Sequence, residues 1–294
     1  MTILLGVLVE GLAYAIMALG VYITYKILDF PDLSVDGTFP LGGAVTAVLI
    51  LAGVNPVLTL FISFIIGGLA GMITGIIHVK FKVRDLLSGI IVMTALYSIN
   101  LRIAGKANQP IFSKETIFEN AFLTKVIPAG LTPFLDTIIL LLIVIIMKLL
   151  LDLYMKTRSG YLLRAAGDNE TLVTSLAKDK GTVKIIGLAI ANAFVALAGC
   201  IYTQKSGFFE ISLGTGTIVI GLASVIIGTN LFKRFTAVKA TTAVIIGSVI
   251  YKACVSFAIS LGMAASDLKL VTSILFLGIL ILGNDRKRKV RTNA

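Results

Sequence analysis

Residues 29–43, DFPDLSVDGTFPLGG, decide how the chain must be read. They gather three carboxylates (Asp29, Asp32, Asp36), two prolines (Pro31, Pro40) and three glycines between two strongly apolar runs, 3–23 and 44–53. Proline removes a backbone donor and its ring clashes with the preceding turn, so a helix passing here is expected to break. In hydrocarbon a broken helix leaves amides unpaired at several kcal/mol each, unless protein or a water-filled cavity surrounds them. The stretch therefore reads as a discontinuous helix lining a pathway, with a short polar loop on the membrane surface as the alternative. Length favours the break. Residues 44–53 alone make about 15 Å of helix, half of a roughly 30 Å hydrocarbon core, and need part of the polar stretch to span it.

Composition supports a membrane setting. The 294 residues are 57% hydrophobic and only 14% charged, with a mean hydropathy of +1.00. No hydrophilic block is long enough for a separate soluble domain, so residues 1–294 read as one transmembrane domain. The net charge of +11 does not indicate nucleic acid, because the basic residues sit in short gaps between apolar runs, as the positive-inside rule requires. Cys200 and Cys254 lie in apolar runs without paired spacing and read as small buried hydrophobes. His78 has no neighbouring ligand set. The N-terminus lacks a basic leader region and carries Glu10, so its first apolar run reads as a retained span.

Nine apolar segments follow: 3–25, the broken 27–53, 56–79, 86–103, 131–155, 183–202, 215–232, 241–261 and 268–282. Each is close to the roughly 20 residues that a span requires. Placing the basic tail, 284–294, in the cytoplasm puts Lys26, the 80–84 cluster, the 148–184 group and Lys233–Lys239 on the same side. The bias is roughly threefold, giving an external N-terminus and a cytoplasmic C-terminus. Residues 104–130 then form an external connection with room for a short helix from Ser113. Sliding the chain by 179 residues sets Gly37, Thr38, Gly42 and Ala44 on Gly216, Thr217, Gly221 and Ala223. The second copy starts an odd number of spans later, the inverted-repeat pattern of transporters.

The cytoplasmic connection, 156–181, carries GYLLRAAGDNE with Gly160, Arg164, Gly167, Asn169 and Glu170. Two short helices joined at Gly167–Asp168 fit, and Leu172, Val173 and Leu176 share one face of the second. Such a helix seeks a groove on a partner protein or lies on lipid headgroups.

This loop resembles the ATPase-contacting loop of ABC importer permeases in the branched-chain amino acid and ribose permease superfamily. Together, DFPDLSVDGTFPLGGA, SGIIVMTALYSINLRIAG and SDLKLVTSILFLGIL are similar to one branch of that superfamily, which includes permeases assigned to tryptophan or tyrosine uptake. The resemblance covers nearly the whole chain. It implies an all-α permease of type II importer architecture in a bacterial plasma membrane, working as a homodimer. Its implied partners are two cytoplasmic ATPase subunits and an extracellular substrate-binding lipoprotein, with no cofactor. One departure limits the transfer. Where branched-chain permeases tend to carry Asn-Phe-Ala-His-Gly after the first span, this chain has Asp29, Phe30, Pro31, Asp32 and Leu33.

The pathway is expected to draw on Asp29, Phe30, Asp32, Ser34 and Asp36, with Met93, Tyr97 and Asn100 at i, i+4, i+7 on one helical face; ordinary helix packing is the alternative for that face. Asp36 is expected to cap a half-helix starting at Thr38, which leaves Asp29 and Asp32 for gating or solute contact. Glu10 and Lys252 are ionisable residues inside spans, which suggests interior roles, although a lysine also snorkels. No phosphate-binding G-x-x-x-x-G-K-[ST] loop and no Ser/His/Asp set occurs, so the chain does not read as an enzyme. The competing function is an ion-coupled secondary transporter using Asp29, Asp32, Asp36 or Glu10.

Overall fold

The first apolar run forms α1, Thr2–Tyr22, and continues through a π-helical turn, Ile23–Ile27. The computed structural model describes residues 2–120, 133–168, 179–233, 235, 238–260, 267, 270–274, 276–278 and 281. Among them follow α2 (Val35–Leu51), α3 (Pro56–Lys80), α4 (Asp85–Ala104), α5 (Leu135–Tyr154), α6 (Arg158–Asp168), α7 (Lys180–Ser206), α8 (Thr217–Leu231) and α9 (Ala240–Ser260). Among the described residues, seven helical segments are long and apolar enough to cross a membrane: Leu4–Ile27, α3, α4, α5, α7, Ile211–Leu231 and α9. The short apolar α2 is an eighth element. The expected ninth span, 268–282, falls on residues that are only partly described, and those described there are mostly helical.

Local chemistry sets the helix ends. Asn55 accepts the Val57 N–H at 2.9 Å and Pro56 opens α3, where its missing donor costs nothing. Asp179 caps α7, accepting from Gly181 N at 2.9 Å and from Thr182 N and Oγ1. The Thr182 hydroxyl and these amides hold its carboxyl below the usual range. At the opposite end, α4 and α7 stop at Gly105 and Gly207, with φ of 72° and 78°, the left-handed conformation glycine adopts without strain. There Asn108–Pro110 (β1) pairs antiparallel with Phe208–Glu210 (β2), Gln109 opposite Phe209.

α1 and α7 form the centre of the bundle. α3 packs on α7 through Gly67, Gly71 and Gly75, which share a face at i, i+4, i+8. A methyl on Gly71 would overlap the Leu188 carbonyl, and one on Gly75 would meet Ile185 Cα at 2.8 Å. Because lipid is as apolar as leucine, such close backbone approach replaces hydrophobic burial as the association force. Tyr14, Phe39 and Tyr202 join α1, α2 and α7, with the first two rings stacked at 5.8 Å.

Several expectations are corrected. The second span does not begin at residue 27, since Ile27 closes the first helix, and Pro40 lies inside α2 instead of breaking it. A single proline deletes one N–H, the donor to the Asp36 carbonyl, and that carbonyl lies against Gly214, where a side chain would overlap it. The interruption falls at residues 28–34 instead. It is no surface loop, because Leu28, Phe30, Asp32 and Ser34 are buried. The described part of the connection after Ser113 consists of turns and bends, not helix. Cys254 is exposed, whereas Cys200 is buried. Glu10 and Lys252 pair with each other at 3.1 Å between α1 and α9.

Candidate translocation site

Residues 28–34 are held from every side. The Leu28 and Phe30 amides donate to Ile23 O and Thr24 O, both at 2.9 Å, closing the end of the first helix, and Asp29 turns the chain at φ 52° with its side chain exposed. Phe30 and His78 of α3 pack their rings edge to face, at 5.0 Å between centroids. Asp32 then anchors the segment to α7. One carboxylate oxygen accepts from Ser34 N at 2.9 Å and from Ser34 Oγ at 2.6 Å, and the other accepts from Asn192 Nδ2 at 2.7 Å. The group is 1% exposed, and neutral donors satisfy it.

One helical turn later, Asp36 does not cap its own helix. Its carboxylate accepts from Gly216 N at 2.9 Å, Ile218 N at 2.8 Å and Thr217 Oγ1 at 2.9 Å, which makes it the cap of α8. From this junction α2 runs towards Ile111 and Phe209 at the ribbon end, while α8 runs to Gly228, which packs on Ala243 near the start of α9. Two short helices thus start together inside the bundle and run to opposite ends.

Beside the junction lies a cavity of about 360 Å3 lined by Asp36, Gly37 and Pro40 of α2, by Met93, Thr94, Tyr97, Ser98 and Asn100 of α4, and by Ile211 and Thr215. The structure therefore brings together Asp36, Met93, Tyr97 and Asn100. Asp29, Phe30, Asp32 and Ser34 lie outside this cavity, on the segment leading into it. The Asn100 amide donates to Gly37 O at 2.9 Å, while its oxygen is buried and without a partner among the described residues.

At the end bearing Lys80 and Lys156, α6 returns against the same segment. Gly160 lies in the tight turn from α5, where a methyl would meet Met155 Cα at 2.6 Å. Gly167 lies so close to the Ile27 carbonyl that a side chain there would overlap it. Gly187 of α7 receives both Leu163 and Leu28. Arg164 is exposed, at a cavity of about 290 Å3 shared with Asp152 and Lys239. Asp152 binds Lys148 at 3.0 Å, Lys239 at 3.2 Å and Thr241 at 2.7 Å, tying α5 to the start of α9. Asn169, Glu170, Leu172 and Leu176 lie outside the described residues.

Comparison with known proteins agrees with this architecture. Residues 3–283 match the family described as the branched-chain amino acid transport system, permease component. The chain belongs to this family. The permease is 46% identical to the tyrosine transport system permease protein of Clostridioides difficile, over 99% of this chain and 95% of that protein. It is 26% identical to a probable branched-chain amino acid transport permease, LivH, of Methanocaldococcus jannaschii, over 74% and 70% of the two chains. It is 25% identical to the ribose import permease RbsC of Escherichia coli, over 76% and 68%. No solved structure matches it.

Sequence reasoning missed Asn192, Gly216 and Thr217 as partners of the carboxylates. Asn192 carried a signal, being a lone amide within the apolar run 183–202.

Proposed function

We propose that this permease is the membrane-spanning subunit of an ABC importer for a small solute of the amino acid class, aromatic amino acids included. In this reading it works as a homodimer, an extracellular lipoprotein delivers the solute, and separate cytoplasmic ATPases drive the cycle through the 156–181 loop. The contact that carries the reading is that of Gly167 with the Ile27 carbonyl. An ATPase that displaces α6 pushes on residues 28–34, which run directly into the α2 start and its cavity and are tied to α7 by the Asp32–Asn192 bond. The tyrosine permease relative supports the solute class.

Helix starts at Thr2, Val35 and Pro56 recur at Lys180, Thr217 and Ala240, which supports the inverted repeat. The basic residues support an external N-terminus and a cytoplasmic tail. Ion coupling through Asp32 is disfavoured, because its oxygens are already satisfied by Ser34 and Asn192.

The test is co-purification and uptake. The permease should co-purify with the ATPase encoded beside it, and proteoliposomes holding both should take up L-tyrosine when ATP and the loaded binding protein are supplied. Glu170→Arg should weaken ATPase capture while insertion is unchanged. A maleimide that cannot cross the membrane should label a cysteine at position 114 in intact cells and leave one at position 82 untouched. Uptake by the permease alone, driven by an ion gradient, would replace this reading with the secondary transporter.

A further inference from the structure

The cavity beside the α2–α8 junction has a chemical bias that follows from its lining. Asn100 is fully buried, and its amide nitrogen donates to Gly37 O at 2.9 Å. A backbone carbonyl only accepts, so the nitrogen must face Gly37 and the side-chain oxygen is left for something else. That oxygen is buried and has no partner among the described residues. A buried acceptor left unmade costs roughly 1–3 kcal/mol, which a passing donor recovers. Asp36 adds an acceptor-rich carboxyl group to the same lining, and no basic side chain among the described residues lines the cavity. Met93, Tyr97, Pro40 and Ile211 supply the apolar remainder. An anionic group would meet this wall unfavourably, whereas a protonated amine carried on an apolar body fits both parts.

We propose that Asn100 Oδ1, in the cavity that Asp36 also lines, receives the ammonium group of the solute, so that an amino acid passes the α2–α8 junction amine first. The inference rests on the import reading above and adds the orientation and the residue that sets it.

Its test separates the two. Ser98 lines the cavity. Ser98→Cys in the full permease with Cys254→Ala, purified in lipid nanodiscs, gives a thiol whose maleimide labelling rate reports occupancy. Three probes differ only in charged groups: L-phenylalanine, phenethylamine and 3-phenylpropionate. The amine-bearing pair should slow labelling at least fivefold at millimolar concentration, and 3-phenylpropionate should leave it within twofold of the free rate. Adding Asn100→Leu should abolish protection by phenethylamine. Equal protection by 3-phenylpropionate, protection that survives Asn100→Leu in folded protein, or no protection by any probe would overturn the subsite. The probe series on the Asn100 protein decides the matter even if the leucine variant does not fold. ATP-driven uptake of L-tyrosine measured in parallel judges the import reading independently, and it stands if uptake proceeds while the subsite fails.

Discussion

The Asp36 carboxylate accepts the Ile218 N–H at 2.8 Å, so the first turn of one short helix caps the start of another 182 residues away. A carboxylate on free helix amides is a charge-assisted arrangement, favoured further by the helix dipole. Here it joins α2 and α8 at the point where both begin inside the bundle, and no local capping residue could do that.

Asp36→Ala should therefore destabilise the whole permease. Removing the acceptor of two amides and the Thr217 hydroxyl costs roughly 2–3 kcal/mol. The loss should appear as a lower thermal midpoint in fluorescence-detected size exclusion. Asp36→Asn keeps one oxygen and should fall between the two. A midpoint unchanged in the alanine variant would remove the cap from the account.

The Asp32–Asn192 pair makes a sharper demand. Asp32→Asn sets two amide groups against each other, and Asn192→Asp sets two carboxylates against each other in a buried site, so each alone should lower stability by roughly 1–3 kcal/mol. The exchanged pair restores one donor facing one acceptor set. Asp32→Asn with Asn192→Asp should recover most of the loss, a coupling that a double-mutant cycle measures directly. Additive losses would mean that the two residues act separately.

Apolar runs and their basic flanks are local properties, so the seven long apolar helices among the described residues and their approximate lengths were legible. The i, i+4, i+7 spacing placed Met93, Tyr97 and Asn100 on one face, and they line one cavity. The site of the interruption was misplaced because Pro40 deletes a single donor, which one helix turn tolerates where Gly214 leaves space beside the freed carbonyl. The Asp36 and Asp32 partners lie 180 and 160 residues away, and no periodicity within a span reports such a contact.

The ion pair across α1 and α9 should be asymmetric. Lys252 is the more buried partner, its side chain 12% exposed against 56% for Glu10, and its ammonium also sits 4.1 Å from the Tyr14 ring centroid. Glu10→Gln leaves that ammonium buried without its counter-charge, whereas Lys252→Met removes the buried charge and leaves the carboxylate where it is largely exposed. Stripping one partner from a buried pair is the costly operation. Glu10→Gln should thus lower the thermal midpoint by more than Lys252→Met does, and the reverse order would mean that the pair is set by Glu10.

The contact between α6 and the interruption separates coupling from folding. Gly167 faces the Ile27 carbonyl with no room for a side chain, while Gly6 on α1 has nothing within 4 Å. Gly167→Ala must push α6 off the end of the first helix or move residues 28–34 with it. The helices that hold the bundle, α3 on α7 above all, are untouched by the change. Folded yield and thermal midpoint should therefore stay near those of the parent, as they should for the control Gly6→Ala. ATP-driven uptake should fall at least tenfold in the Gly167 variant and remain within twofold in the control. ATP hydrolysis by the assembled complex should continue in the Gly167 variant, because the ATPase still docks but its stroke no longer reaches the cavity. Uptake that tracks hydrolysis in that variant would show that the stroke travels by another route.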